Sequence, residues 1–206
     1  MLPVIVDVSR CPVVVIGEGA QTLKRLATLD ASQARFVRVF APQPSAELAA
    51  AAGARHVPRW PSPDDLVGAA LAFVGDLPPE RAEPFFVMAR AKGALANVED
   101  VLPLCDFHMP SIIRRGDLLI SVSTGGKSPA LAQMIRARIG LAFGPEWEGH
   151  LDAIADLRAG WRAAGLSPAD ISMRTQAAVA AAGWFDAAGA LALPRLDPQE
   201  RAAHND

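Results

Sequence analysis

The sequence predicts an α/β fold: a parallel sheet with helices packed on both faces. Short β-branched runs alternate with helix-length stretches across the first hundred residues. The first such run, Val13-Val14-Val15-Ile16, has no polar break, as a strand covered on both sides requires. Chain punctuation falls between the runs, at Gly17, Pro42, Gly53 and Gly93, which separates strand from helix each time.

The elements follow in order. After Gly17-Glu18-Gly19 comes a helix carrying Leu23, Leu26 and Leu29. Phe36–Phe40 is the second strand, closed by Ala41-Pro42. Ser45 caps an alanine-rich helix that ends near Gly53. Arg55–Trp60 reads as a third strand and Ala70–Val74 as a fourth. A helix spans 79–92, and Ala94–Val98 is the fifth strand. Strands joined through helices give a doubly wound sheet, with ligands expected at the carboxyl ends of its strands. Residues 101–116 read as irregular, punctuated by Pro103 and Pro110. Asp117–Ile120 is strand-like, Ser128-Pro129 opens a helix, and from Trp147 the chain reads as two helices separated near Gly165 and Pro168. The polar tail from Pro194 is expected to fray.

Composition bounds the function. The 206 residues are 51% apolar and 20% charged, which suits a folded domain able to bury a core without disulfides or metals. A net charge of −2 gives no sign of nucleic-acid binding. No apolar run reaches membrane-span length, and the first residues lack the features of a signal peptide. With only Cys11 and Cys105, the expectation is a cytoplasmic protein with reduced thiols and no membrane partner.

Gly17-Glu18-Gly19 is half of a dinucleotide fingerprint, although a plain β–α turn shares that pattern. Thr22 stands where a small residue would allow close helix packing. No acid ends the second strand; Gln43, after Pro42, offers a neutral hydrogen-bonding group instead. Asp76 follows the fourth strand, beside the nicotinamide half of a bound cofactor or as a loop or helix-capping acid. Asn97 and Asp100 end the fifth strand, and an acid there can act as a general base. Cys105 and His108 lie three apart, but no second pair at zinc-site spacing accompanies them, so no metal site is expected. His108 reads as a cleft-lining or a structural histidine.

Ser123-Thr124-Gly125-Gly126-Lys127-Ser128 is a second turn between strand and helix. Such a turn offers N–H groups and a helix N-terminus to an anion, although it also serves as a plain connection. Residues 107–145 hold Arg114, Arg115, Lys127, Arg136 and Arg138 against one acid, Asp117. This local basic excess points to an anionic small molecule or a partner surface. Arg114, Arg115 and Lys127 flank turns, which makes them the better candidates for contact.

Taken together, these motifs resemble the precorrin-2 dehydrogenase family, the dehydrogenase/ferrochelatase module of siroheme synthases. The likeness runs in order from Leu2-Pro3 through Val13–Gly19, Ala41-Pro42, Asn97-Val98-Glu99-Asp100, Leu104–Phe107 and Pro110–Ile113 to Ile120–Pro129. It implies a Rossmann-type parallel sheet over 1–110, a small α+β dimerisation and substrate-cleft segment over 111–146, and a helical C-terminal domain over 147–206.

The resemblance further implies a homodimer that oxidises precorrin-2 to sirohydrochlorin with NAD⁺; many members then insert Fe²⁺. NAD⁺ is expected over Gly17, Glu18, Gly19 and Ala20, with Pro42, Gln43 and Asp76 nearby. Asp100 matches the family's key aspartate, which acts as a base or as a group that orients the tetrapyrrole, with Asn97 beside it. Ser123, Thr124, Gly125, Gly126, Lys127, Ser128, Arg114, Arg115 and His108 are expected to face the carboxylate-rich tetrapyrrole. The sequence departs from the family at Thr22, in carrying less glycine before that position, and over Phe73–Pro79, all on the cofactor side. Two alternatives stay open: a sirohydrochlorin chelatase with weakened oxidation, and a non-catalytic NAD- or tetrapyrrole-binding regulatory dimer.

Overall fold

A computed structural model describes residues 1–185 and divides the chain into two compact units, the second beginning at Pro110. The polar tail from Pro194 lies outside the described residues.

The first unit holds five strands: β1 (Val13–Ile16), β2 (Val37–Phe40), β3 (His56–Val57), β4 (Leu71–Val74) and β5 (Leu95–Val98). All pair in parallel, in the order β3-β2-β1-β4-β5. The connecting helices are α1 (Ala20–Ala31), α2 (Ala46–Ala52) and α3 (Pro79–Ala91). The third strand is shorter than the six residues expected, because Pro58 lacks the N–H that would extend its ladder.

Alternation along the strands divides the core between the two faces. Val14, Ile16, Ala72, Val74, Ala96 and Val98 pack with Ala82, Phe86 and Ala89 of α3. Val13, Val15, Val37, Val39, Leu71 and Phe73 pack on the other face, with Leu26 and Leu29 of α1 and Leu48 of α2. Every β1 residue is buried, which explains its unbroken apolar run. The chain then turns back beneath β5. Asp106 N–H donates to the Ala96 carbonyl at 2.8 Å, and the Asp106 carboxylate accepts from Ala96 N–H at 3.0 Å.

In the second unit, β6 (Ser111–Arg115) and β7 (Leu118–Val122) form an antiparallel hairpin with Arg115 opposite Leu118. This corrects the irregular reading of residues up to 116. Two residues, Gly116 and Asp117, make the reversal, and Gly116 takes φ +54, a conformation that costs glycine little. A two-residue loop joining short, partly polar strands left no strong periodicity to read. Helix α4 (Pro129–Ala142) packs on the hairpin, and α5 (Trp147–Ala163) pairs with α6 (Pro168–Ala181).

Candidate active site

The strand order reverses between β1 and β4, so the loops after these strands meet at the carboxyl edge of the sheet. Gly17 adopts φ +146, and a Cβ there would lie 2.1 Å from Thr22 Oγ1 and 2.4 Å from the Gly75 carbonyl oxygen. Only glycine fits this approach of the two loops. Gly75 N–H in turn donates to the Ile16 carbonyl at 2.9 Å, tying the loop after β4 to β1.

Asp76 stands at the centre of the turn. Its carboxylate accepts from Gly19 N–H (2.9 Å), Gln21 N–H (3.0 Å), Thr22 N–H (2.9 Å) and the Thr22 hydroxyl (2.6 Å). The helix-capping alternative is thus the role the geometry gives it. Burial alone would raise its pKa, but the Thr22, Gln21 and Gly19 hydrogen bonds outweigh that and hold the carboxyl below its ordinary value. Its backbone sits at φ +58, in the left-handed region that a non-glycine residue adopts at some cost.

Gln21 joins this turn to the second carboxylate. Its side-chain amide donates to Asp100 Oδ2 at 3.1 Å, while its backbone holds Asp76. Asp100 is exposed at the end of β5, with φ +60. Beside it, Arg25 and Glu99 form a 2.5 Å ion pair, and the Arg25 guanidinium lies over the Phe73 ring.

Asn97 is placed differently from the expectation that groups it with Asp100 in the chemistry. It is buried, and its amide donates to the Phe107 carbonyl at 2.9 Å and to Cys105 Sγ at 3.4 Å. Those bonds hold the return segment against β5. The Cys105 thiol is pushed up in pKa chiefly by burial and donates to the Val98 and Val101 carbonyls, which makes it a poor nucleophile. His108 is half-buried on the same return segment.

Glu18 and Gln43 meet beside this turn. The Glu18 carboxylate accepts from Gln43 N–H at 2.6 Å, and the Glu18 carbonyl accepts from Ser45 N–H at 2.8 Å. Pro42 lies in the same loop after β2, half-buried, and Ala20 is exposed at the first position of α1.

The second unit presents its own turn. Gly125 and Gly126 both take positive φ, at 64° and 79°. Thr124 Oγ1 accepts from Ser128 N–H at 3.2 Å and donates to the Ser128 carbonyl at 2.9 Å. Ser123 Oγ accepts from Gly125 N–H, and Ser128 Oγ caps α4 by accepting from Leu131 N–H. Lys127 is exposed at the tip. Arg115 is committed to the backbone: its Nε donates to the Phe143 carbonyl at 2.9 Å and its Nη1 to the Arg114 carbonyl. Arg114 points from the same hairpin and is exposed. Among the described residues, no three His, Cys, Asp or Glu side chains converge as a metal site.

Comparison with known proteins identifies this arrangement. The family model described as "Putative NAD(P)-binding" matches residues 4–111, more than half of the chain, and "Sirohaem biosynthesis protein central" matches 115–140. The chain belongs to the siroheme synthase family, as its N-terminal NAD(P)-binding module. It is 38% identical over 140 residues to the siroheme synthase of Ectopseudomonas mendocina, covering 67% of this chain and 30% of that protein. Identity to the Pseudomonas putida siroheme synthase is 35% over 146 residues, covering 69% and 31%. The chain thus spans about a third of the length of these siroheme synthases. The solved structure of SirC, a precorrin-2 dehydrogenase, shares the fold with a TM-score of 0.70 at 19% identity, covering 85% of this chain and 88% of that one.

The first unit fits an anionic cofactor group at its first turn. The donors at the start of α1 converge on an anion already, and the Asp76 carboxylate is the stand-in. A Cβ on Gly19 would lie 2.8 Å from that carboxylate and fill the cradle. Gln21 and Thr22 are the contributors the sequence reading missed. The signal at Thr22 was its departure from a small residue, whereas Gln21 carried none.

Proposed function

We propose that this module oxidises precorrin-2 to sirohydrochlorin with NAD⁺, as a cytoplasmic homodimer. The observation that carries the reading is the Asp100 carboxylate, held through one oxygen by Gln21 at 3.1 Å beside the dinucleotide turn. Removing two hydrogens across a carbon–carbon bond releases a hydride and a proton. When bound, NAD⁺ supplies the hydride acceptor. Gly17, Gly19 and the first N–H groups of α1 would hold its diphosphate. With Oδ2 fixed by Gln21, Asp100 keeps Oδ1 as the acceptor for the proton.

The tetrapyrrole carries acetate and propionate groups, which need cations and N–H donors. Lys127 supplies a cation, with Arg114 as a further one, while Arg115 braces the hairpin. The N–H groups of Gly125, Lys127 and Ser128 are bonded within the turn and become donors only by exchanging those partners. Support for a dimer lies on α4. Leu131, Met134 and Ile135 share one face at helical spacing, and Met134 is 66% exposed. A cytoplasmic location agrees with two free cysteines and with the lack, among the described residues, of any helix long and apolar enough to cross a membrane.

Insertion of Fe²⁺ into sirohydrochlorin is a second reading. It is favoured by the carboxylate cap on the dinucleotide turn, which leaves Asp100 exposed and able to take pyrrole protons without any dinucleotide. An anaerobic assay with precorrin-2 and NAD⁺ separates the two, following NADH absorbance and the sirohydrochlorin spectrum. Stoichiometric NADH supports oxidation. Tight tetrapyrrole binding without NADH, followed by Fe²⁺ uptake, replaces it with chelation.

A further inference from the structure

We propose that Asp76 is a built-in competitor for the cofactor diphosphate, and that it sets how tightly this chain binds a dinucleotide. The proposal rests on the NAD-dependent reading above and adds the residue that limits cofactor affinity.

The physical argument begins with the helix. An α-helix leaves its first N–H groups without intrahelical partners, and these bind either a capping side chain or an external anion. The N-cap of α1 is Gly19, which has no side chain to cap with. The cap therefore comes from another element, the loop after β4, whose Asp76 lies 57 residues away from Gly19. One carboxylate takes three backbone N–H groups and the Thr22 hydroxyl. A diphosphate seated on this turn would draw on those same backbone donors. Two anions cannot share them, because both carry charge and the donors point to one place.

Asp76 can also leave. It is exposed and follows a glycine, and its φ of +58 is a conformation that a non-glycine residue gains by relaxing away from. Glu18 adds a second carboxylate to the rim, already engaged by Gln43 N–H at 2.6 Å. The turn is thus closed by the chain's own carboxylates, and a dinucleotide enters by displacing Asp76. Because Gln21 bonds Asp76 through its backbone and Asp100 through its side chain, the exchange occurs at the residue that holds the proposed base.

The test is equilibrium binding of NADH to the full chain, read by fluorescence titration and by the ligand-induced rise in melting temperature. Asp76→Asn keeps an oxygen acceptor for the cap but removes the charge, and Asp76→Ser does the same with a smaller side chain if the Asn variant does not fold. The expected result is NADH bound at least about tenfold more tightly by the neutral variant than by the parent chain, from the loss of like-charge competition. Equal or weaker binding by a folded neutral variant overturns the proposal, and if the parent chain binds NADH, the NAD-dependent reading survives. If neither the parent nor any folded neutral variant binds NADH, both fall together.

Discussion

The Thr22 backbone N–H and hydroxyl both reach Oδ2 of Asp76, at 2.9 and 2.6 Å, across 54 residues of sequence. Thr22 is itself buried beneath the Gly17 turn. The pair therefore closes the first β–α turn onto the loop after β4. Thr22→Val keeps the shape but removes the hydroxyl donor, and is expected to lower stability by about 1 kcal/mol. Gly17→Ala, which would force a Cβ against Thr22 and Gly75, should cost more, about 2–4 kcal/mol. Urea unfolding of the two variants checks the order; an equal or smaller loss for Gly17→Ala contradicts the close approach.

Acid should weaken the first unit. Asp65 accepts from two Arg59 nitrogens at 2.6 and 2.9 Å and from the Ser62 N–H and hydroxyl, both at 2.7 Å. The Arg59 hydrogen bonds, aided by Ser62, hold its carboxyl well below the ordinary value despite burial. Asp76 is lowered too. A carboxylate whose folded pKa is depressed stabilises the fold above its unfolded pKa of about 4, and that contribution fades as pH falls through the folded value. Urea midpoints should therefore be flat above about pH 5 and drop below about pH 4. Asp65→Asn should flatten the drop, and an unchanged slope would remove Asp65 from the account.

At Asp100, the φ of +60 suits Asn as well as Asp, so Asp100→Asn should fold normally. Turnover in the precorrin-2 assay is expected to fall by about 10²–10⁴-fold, the usual weight of a lost general base. Gln21→Glu sets a like charge against Asp100 in place of the amide donor and should lower turnover while leaving the melting temperature near that of the parent. A lower rate matched by a lower melting temperature would mean that Gln21 serves the fold alone.

Ser128 caps α4 through its hydroxyl, and Asp caps equally well. Ser128→Asp should leave the melting temperature near that of the parent while weakening binding of the polycarboxylate tetrapyrrole, since it adds negative charge beside Lys127. Lys127→Ala should weaken the same binding, with a smaller dependence on salt. Unchanged affinity in both variants moves the carboxylate contacts away from this turn.

If α4 mates with a second copy, Met134→Glu should break the association. Met134 shares its exposed face with Leu131 and Ile135, so one buried charge there costs several kcal/mol. Sedimentation analysis of parent and variant reads the outcome, and a parent that sediments as a monomer at micromolar concentration removes the dimer.

The sequence by itself determined the architecture of the first unit and the nature of its turns. Val13–Ile16 had to be a covered central strand, and the helix–strand alternation required parallel pairing. Gly17 and Gly19 marked the first turn, and Asp100 marked the acid at the end of the fifth strand. These signals are local, a matter of side-chain period and glycine placement. Tertiary structure alone decided which groups meet at the carboxyl edge. Gln21 finds Asp100 across 79 residues, and Asp76 reaches back to cap a helix whose own cap position is glycine. No periodicity records those pairings, because they depend on β4 and β5 settling beside β1 in the sheet. Packing of the return segment on β5 turned Asn97 inward to the Phe107 carbonyl, and within the second unit the packing of α4 on the hairpin committed Arg115 to the Phe143 carbonyl, since buried or crowded polar groups take whichever backbone partner lies within reach.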